Sequence, residues 1–301
     1  MRVLMIGATG YIGAVVLEHL LKEGHHVAAL LRGPRPLPRG VELRVADLSR
    51  PESVQAELAG DVDAVVHAAA PVGNWDLEVA SVRSLLSGLS GRRRTFVYLS
   101  GTWVLGPSPI VDGAASVLDE FSPVRPITMV AGRERLEEAV TEARGCRGIV
   151  IRPGLAHGRN GGIPALLVDW ARQHGVGRFV APEGPVTWPM VHVDDLAALV
   201  SRVLYPGRGG QLLHAVAEPA VAVPRIAAAA DMAAGGSGRA EPWPLAAATA
   251  ALGSPFAEAL ATSQRVRGVK ASALGWHATH PDIVTDLRRG SYQTGRVLAV
   301  S

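Results

Sequence analysis

Cysteine and lysine are nearly absent from this chain. Among its 301 residues there is one cysteine, Cys146, which excludes an internal disulfide framework. Lysine occurs only at Lys22 and Lys270, and tyrosine only at Tyr11, Tyr98, Tyr205 and Tyr292. No uninterrupted apolar run is long enough to span a bilayer, so no membrane segment is expected. The opening MRVLMIGATG lacks the charged start, apolar run and cleavage site of a secretion signal, which predicts a cytoplasmic protein. An excess of charge of one sign is also missing. With 30 Lys and Arg against 27 Asp and Glu, the formal net charge is only +3, and nucleic-acid binding is not implied. The tight basic cluster Arg92 to Arg94 reads as a solvated turn before a strand. The ten histidines and single cysteine show no zinc-type spacing, so no metal is expected. A G-x-S-x-G elbow is absent as well, which sets a hydrolase triad aside.

What the chain does have is core-forming residues, 48% of the total, enough for one large domain or a nucleotide domain with a smaller partner. RVLMI reads as a strand, and YIGAVVLEHLLKEG as a helix stopped at Gly24. HHVAALL, VELRVAD, VDAVVHAAA, RTFVYLS and RGIVIRPG follow as further strands. One intervening helix is opened by Ser49 with Glu52 as a capping box. Strands alternating with helices predict an α/β, doubly wound parallel sheet of Rossmann-like type. Beyond about residue 160 the pattern thins to a helix near 162–174, a strand near 188–192 and a helix from Asp194 to Leu204. An alanine-rich helix then leads into a loose Gly/Pro surface stretch ending in EPWP. The expected division is a dinucleotide-binding domain over 1–160, with part of 188–216 returning to it. A smaller, mainly substrate-binding region over 161–301 is expected to cap the sheet's C-terminal edge.

GATGYIG sets Gly7, Gly10 and Gly13 three apart at the first strand-to-helix turn, so the backbone of Gly7, Thr9, Gly10, Tyr11, Ile12 and Gly13 can approach a pyrophosphate. At the end of the second strand NAD would call for a carboxylate, but the chain reads LLRGPR. Arg32 and Arg35 offer forked cations for a 2′-phosphate, which predicts NADP(H) as cofactor.

In order along the chain, GATGYIG, ADL (46–48), VVHAAA (65–70), FVYLSGTWVLG (96–106), IRPGLAHG (151–158), VHVDDLA (191–197) and LGW (274–276) resemble one family. It is the extended or atypical short-chain dehydrogenases/reductases, the NAD(P)-dependent epimerase/dehydratase superfamily, and the resemblance spans nearly the whole chain. It implies that Asp47 and Leu48 flank the adenine, that Ala68, Ala69 and Ala70 run beside the cofactor's middle, and that Pro153 with Gly154 borders the nicotinamide.

In that family a Tyr, and a Lys four residues later, sit on the helix after the fifth strand, with a Ser or Thr just past that strand. Here ITMVAGRERLEEAV (127–140) reads as one amphipathic helix, with Met129 where the tyrosine would be and Arg133 where the lysine would be. Ser100 and Thr102 flank Gly101 at the hydroxyl position. No shift of alignment supplies the pair, because none of the four tyrosines and neither lysine lies on this helix. A thioether cannot exchange a proton, and an arginine cannot shuttle one at neutral pH. The inward-facing Arg133 then contacts cofactor or a substrate anion, or else spans a domain seam with its stem buried. Thr102, water, the substrate or His157 must supply any proton, His157 being the better acid or simply a hydrogen-bonded loop histidine. His192 is expected in the crevice wall, with Asp194 or Asp195 capping the next helix, and His67 is expected to be packed in its strand. Trp75, Trp103 and Trp188, with Met129 and His192, are the candidate substrate pocket.

The expected function is an NADPH-dependent reductase of a small, fairly apolar carbonyl, imine or activated alkene, its proton supplied without tyrosine. Alternatives are an NADP(H)-sensing binding protein, or a non-redox isomerase or cyclase in which His157 and Arg133 act as electrophilic groups. The expected partner is a small-molecule substrate, with neither nucleic acid nor membrane, and the charged face of ERLEEAVTEAR favours a monomer over a homodimer.

Overall fold

The computed structural model describes residues 1–58, 60–69, 75–89, 94–205, 207 and 211–293. The first half contains β1 (Arg2–Ile6), α1 (Tyr11–Lys22), β2 (His26–Leu31), β3 (Glu42–Val45), α2 (Pro51–Leu58), β4 (Ala64–His67), α3 (Trp75–Leu89), β5 (Thr95–Leu99), β6 (Ile110–Val111), β7 (Ala114–Ala115), α4 (Arg133–Thr141) and β8 (Arg147–Pro153). There follow β9 (Leu155–His157), α5 (Gly162–His174), β10 (Gly177–Ala181), β11 (Thr187–His192), α6 (Val193–Leu204), β12 (Gln211–Ala215) and β13 (Glu218–Ala222). The chain continues through α7 (Val223–Ala233), β14 (Ala240–Pro244), α8 (Leu245–Leu252), α9 (Ser254–Ala261), α10 (Val269–Ala273) and α11 (Ile283–Arg289). No helix among the described residues is long and apolar enough to cross a membrane.

Two compact units emerge. The first takes Met1–Ser100, Gly132–Arg152 and Leu196–Leu213, and the second Gly101–Ala131, Pro153–Asp195 and His214–Ser301. The second is thus the larger, and it takes in residues 101–131 and 153–160, which the sequence boundary leaves with the first.

The first unit is built on a seven-stranded sheet of order β12-β8-β5-β4-β1-β2-β3. Pairing from β3 through to β8 is parallel throughout, giving the doubly wound Rossmann-like sheet that the sequence predicts. Its central strands are continuous apolar runs because both faces are covered. Leu4, Ile6, Phe96 and Tyr98 pack with Leu58, Leu85 and Leu136 on one face, and the intervening Val3, Met5 and Val97 are buried too. The order reverses between β1 and β4, which opens a crevice at their C-terminal ends.

In the second unit β13-β11-β9 form a three-stranded sheet, and β10 pairs with β14. Its core gathers Trp188, Met190, Ile226, Leu260, Ile283 and Tyr292.

Several local expectations are corrected. Asp47, rather than a Ser49 box, organises the start of α2: its carboxylate accepts from Ser49 N and Oγ, and Ser53 Oγ accepts from Asp47 N. Arg94 is buried rather than solvated, donating to Leu58 O at 2.5 Å and Gly60 O at 2.7 Å; Arg92 and Arg93 lie outside the described residues. The Gly/Pro stretch folds onto Asp231, whose Oδ2 accepts from Gly238 N and Arg239 N, and EPWP becomes part of β14. Pro242 and Pro244 are two apart, so both missing donors fall on one side of the strand and the other side can pair with β10. His192, not Asp194 or Asp195, caps α6, its Nδ1 accepting from Asp194 N at 3.2 Å.

The helix expected over 127–140 is broken. Thr128–Val130 form a 3₁₀ turn, Gly132 takes φ +90°, and α4 begins only at Arg133. A Cβ on Gly132 would stand 2.8 Å from the Trp75 ring. Met129 and Arg133 therefore share no helix stripe. What anchors α4 is an internal pair: Arg152 on β8 donates through Nε and Nη2 to the Glu137 carboxylate, with side chains 5% and 3% exposed.

Arg152→Met leaves the Glu137 charge buried without its hydrogen-bonded partner, and should cost about 3–5 kcal/mol in urea unfolding. The double variant Arg152→Met with Glu137→Leu should recover most of that loss. Equal stability of the two variants would show that the pair anchors nothing.

Candidate functional site

The site begins at a backbone turn with no room for side chains. Gly7 has φ +83°, and a Cβ there would stand 2.6 Å from Ala69 N and 2.7 Å from Ala68 C. A Cβ on Gly13 would run into the Gly7 carbonyl. Glycine at both positions lets the end of β1 press against the end of β4 and the first turn of α1 against the loop. At Gly10 a Cβ would meet only Gly7 O, at 3.4 Å. Gly10 N donates to Gly7 O at 3.0 Å, and α1 begins with no side-chain cap and no acidic residue in its first turn. An uncapped helix N-terminus beside bare backbone fits a dinucleotide pyrophosphate. Thr9 is exposed here, with Tyr11 and Ile12 half-buried.

Arg32 and Arg35 are exposed just beyond β2. Asp47 stands past β3, its carboxyl held below the usual range first by the Ser49 N–H and hydroxyl, with smaller contributions from Arg50 and then Arg32. Leu48 packs against the core beneath. Ala68 and Ala69 are half-buried beyond β4, while Ala70 lies outside the described residues. Past β5, Ser100 N donates to Ile151 O at 2.8 Å, and Ser100 Oγ is buried without a hydrogen-bond partner among the described residues.

Arg133 has an internal explanation. Its Nε and Nη2 donate to the two Glu78 oxygens at 3.1 and 3.0 Å, and Glu78 also accepts from the Tyr98 hydroxyl. Burial, reinforced by Glu78 and outweighing Arg133, pushes the Tyr98 phenol above its ordinary pKa. His67, as expected, is packed in β4, its Nε2 3.1 Å from Ser81 Oγ. Burial drops its pKa to about 4.

The sequence reading passes over Glu78. The available signal was a carboxylate on the apolar stripe Glu78, Ser81, Val82, Leu85 and Leu89 of α3, matched by the arginine on the stripe of α4.

The remaining candidates belong to the second unit. Thr102 is buried in a 3₁₀ turn, its carbonyl accepting from Gln264 Nε2 at 2.8 Å. Trp103 and the half-buried Met129 pack against one apolar cluster. Trp188, 1% exposed, is a core side chain and offers no open pocket wall. Trp75, by contrast, belongs to the first unit and is exposed. Pro153 is buried where β8 ends. His157 lies in β9 rather than in a loop, 3.5 Å from Asp286 and 3.8 Å from Glu218. The His192 ring stands edge-on to His157 and stacks on His280 with centroids 4.5 Å apart.

The chain belongs to the NAD dependent epimerase/dehydratase family, whose family model matches residues 3–213. Its fold is similar to that of UDP-glucose 4-epimerase of Thermus thermophilus in complex with NAD, with TM-score 0.77 and 20% identity over 98% of this chain and 100% of that one. It is likewise similar to human epimerase family protein SDR39U1 with NADPH, with TM-score 0.73 and 22% identity over 97% and 99% of the two chains. In sequence it is 28% identical to 3-diazoavenalumate denitrifying reductase of a Streptomyces species over 309 residues, 93% of this chain and 97% of that protein. Membership gives the glycine turn its ligand class, a nicotinamide dinucleotide.

His67 generates a pH prediction. Folded, it stays neutral down to about pH 4, whereas the unfolded chain takes up that proton near 6.5. Stability is therefore fully present above 6.5 and is lost as pH falls toward about 4, with buried His25 acting in the same direction. Urea midpoints measured across this window should fall less steeply in His67→Gln. Superimposable curves would count against the assignment.

Proposed function

We propose that this protein is an NADPH-dependent reductase of a small, fairly apolar carbonyl, imine or activated alkene, with the proton delivered by a route that uses no tyrosine. The observation that carries the reading is the pairing of the side-chain-free glycine turn with exposed Arg32 and Arg35, at the place where a ribose-binding carboxylate would favour NAD. Relatives in the family carry either NAD or NADPH, and the two arginines favour the phosphorylated cofactor. The likeness to a reductase from Streptomyces supports hydride transfer as the reaction class.

Bound NADPH supplies the hydride. The chain's own residues then orient the substrate and bring the proton. Tyr98, Glu78 and Arg133 are closed on one another and offer no transferable proton. His157 is buried beside Asp286 and Glu218, and this reading does not rely on it for the proton. Ser100 Oγ remains available to hold a substrate atom or a water, and Thr102 follows two positions later. A hydroxyl of this kind positions a proton but does not generate one. An imine already protonated, or a conjugated alkene that collects its proton from water, suits such a site best.

Two variants test the cofactor half. Gly10→Ala has room for its methyl in the fold and should melt like the wild type while losing NADPH affinity. Arg32→Ala should weaken NADPH but not NADH by about tenfold, the equivalent of 1.4 kcal/mol; equal loss for both cofactors would remove the case for NADPH.

The reaction itself is tested with 4-deuterated NADPH and a small-molecule extract of the source organism. Label recovered in a metabolite by mass spectrometry is the expected result. Confirmed cofactor binding with no transfer of label would exclude a reductase.

A further inference from the structure

The second unit holds a group of histidines and carboxylates that none of this chemistry uses. His157 ends β9 and His192 ends β11, and the two strands pair with His192 directly opposite His157. Asp286 reaches the same point from α11. All three are buried, at 1%, 7% and 4% exposure, and their ligand atoms lie within 4.8 Å of one another.

The spacing of His157 and Asp286 fits an ion pair and equally two ligands of one ion. His157 Nδ1 stands 3.5 Å from Asp286 Oδ2 and has no hydrogen-bond partner among the described residues. Two ligands bonded to one tetrahedral ion at about 2.0–2.1 Å would stand roughly 3.3 Å apart.

The outer contacts also suit an ion. A carboxylate stands beside the other nitrogen of each imidazole, Glu218 Oε1 at 3.8 Å from His157 Nε2 and Asp194 Oδ2 at 3.4 Å from His192 Nδ1. Without an ion His192 Nδ1 accepts from Asp194 N, and an ion on Nε2 would move the ring proton to Nδ1, facing Asp194 Oδ2. Metal-bound histidines are held and oriented in this way. Asp286 Oδ1 is fixed by Ser291 N and Oγ at 2.8 and 3.1 Å. Gly158 keeps the ground beside His192 Nε2 clear, since a Cβ there would overlap that atom. The neighbouring group of His192, Asp194 and His280 is a poorer candidate. There His280 Nδ1 is bound to Asp195 at 2.8 Å, and Asp194 is engaged by Arg159.

We propose that His157 Nδ1, His192 Nε2 and Asp286 form a three-ligand site for a divalent transition ion, zinc being the best match to two imidazoles and one carboxylate, with a fourth position open to water. The ion ties α11 to the adjacent ends of β9 and β11. Local spacing could not reveal it, because the third ligand lies 94 positions beyond the second.

The test uses the untagged full chain, freed of metal with a chelator and titrated with zinc by calorimetry, then with cobalt(II) by visible absorption. The expected result is one ion per chain and a cobalt spectrum typical of four- or five-fold coordination, both abolished in His157→Ala and Asp286→Asn. Glu218→Gln keeps the acceptor for Ile283 N, which sits 3.0 Å from Glu218 Oε1. That variant should fold as the wild type and bind zinc about 10–100-fold more weakly. Should a ligand variant fail to fold, Glu218→Gln and the cobalt spectrum decide. No saturable zinc binding by the wild type, or wild-type affinity in Glu218→Gln and the folded ligand variants, overturns the proposal.

Discussion

Four charged side chains that have been taken out of water govern the first unit. Arg133 with Glu78 ties α4 to α3, and Arg152 with Glu137 ties the same helix to β8. α4 is only nine residues long, and Leu136 and Val140 are its buried apolar side chains. A helix that short is marginal alone. Its position therefore rests on ion pairs whose members cannot be removed singly without leaving a bare charge in a low-dielectric interior. Tyr98 joins through Glu78, so β5, α3, α4 and β8 share one polar seam within a mainly apolar core.

That seam and the glycine turn solve opposite problems. At Gly7 and Gly13 the fold needs backbone to touch backbone, and it removes side chains to achieve this. At α4 the fold needs charge inside, and it adds a partner for each charge. Ser100 Oγ, at the end of β5, is buried with no hydrogen-bond partner among the described residues, an arrangement a folded chain tolerates where a ligand or water completes the hydrogen bond.

How much could be read in advance follows from the range of each interaction. The parallel strands were legible because a strand covered on both faces must be apolar along its length, which is a local property. The glycine triplet was legible for the same reason, since its steric demand falls within seven residues. The Glu78–Arg133 pair spans 55 positions, and each half appears in the sequence only as a charge on an apolar stripe. A stripe says that a residue faces inward, not what it meets. The continuous helix over 127–140 failed differently: Gly132 passes for an ordinary helical glycine until φ +90° and the Trp75 ring against it show a break. The segment after α7 looked loose because Gly236, Gly238 and Pro242 dominate it, yet one carboxylate, Asp231, gathers the amides of Gly238 and Arg239 and orders it.

An arginine rather than a lysine at residue 133 has a chemical meaning. A lysine offers a compact charge that can sit beside a phenol and pass its influence to a substrate oxygen. An arginine's planar fork matches a carboxylate, and Arg133 meets both oxygens of Glu78. Once paired in this way the cation belongs to the scaffold.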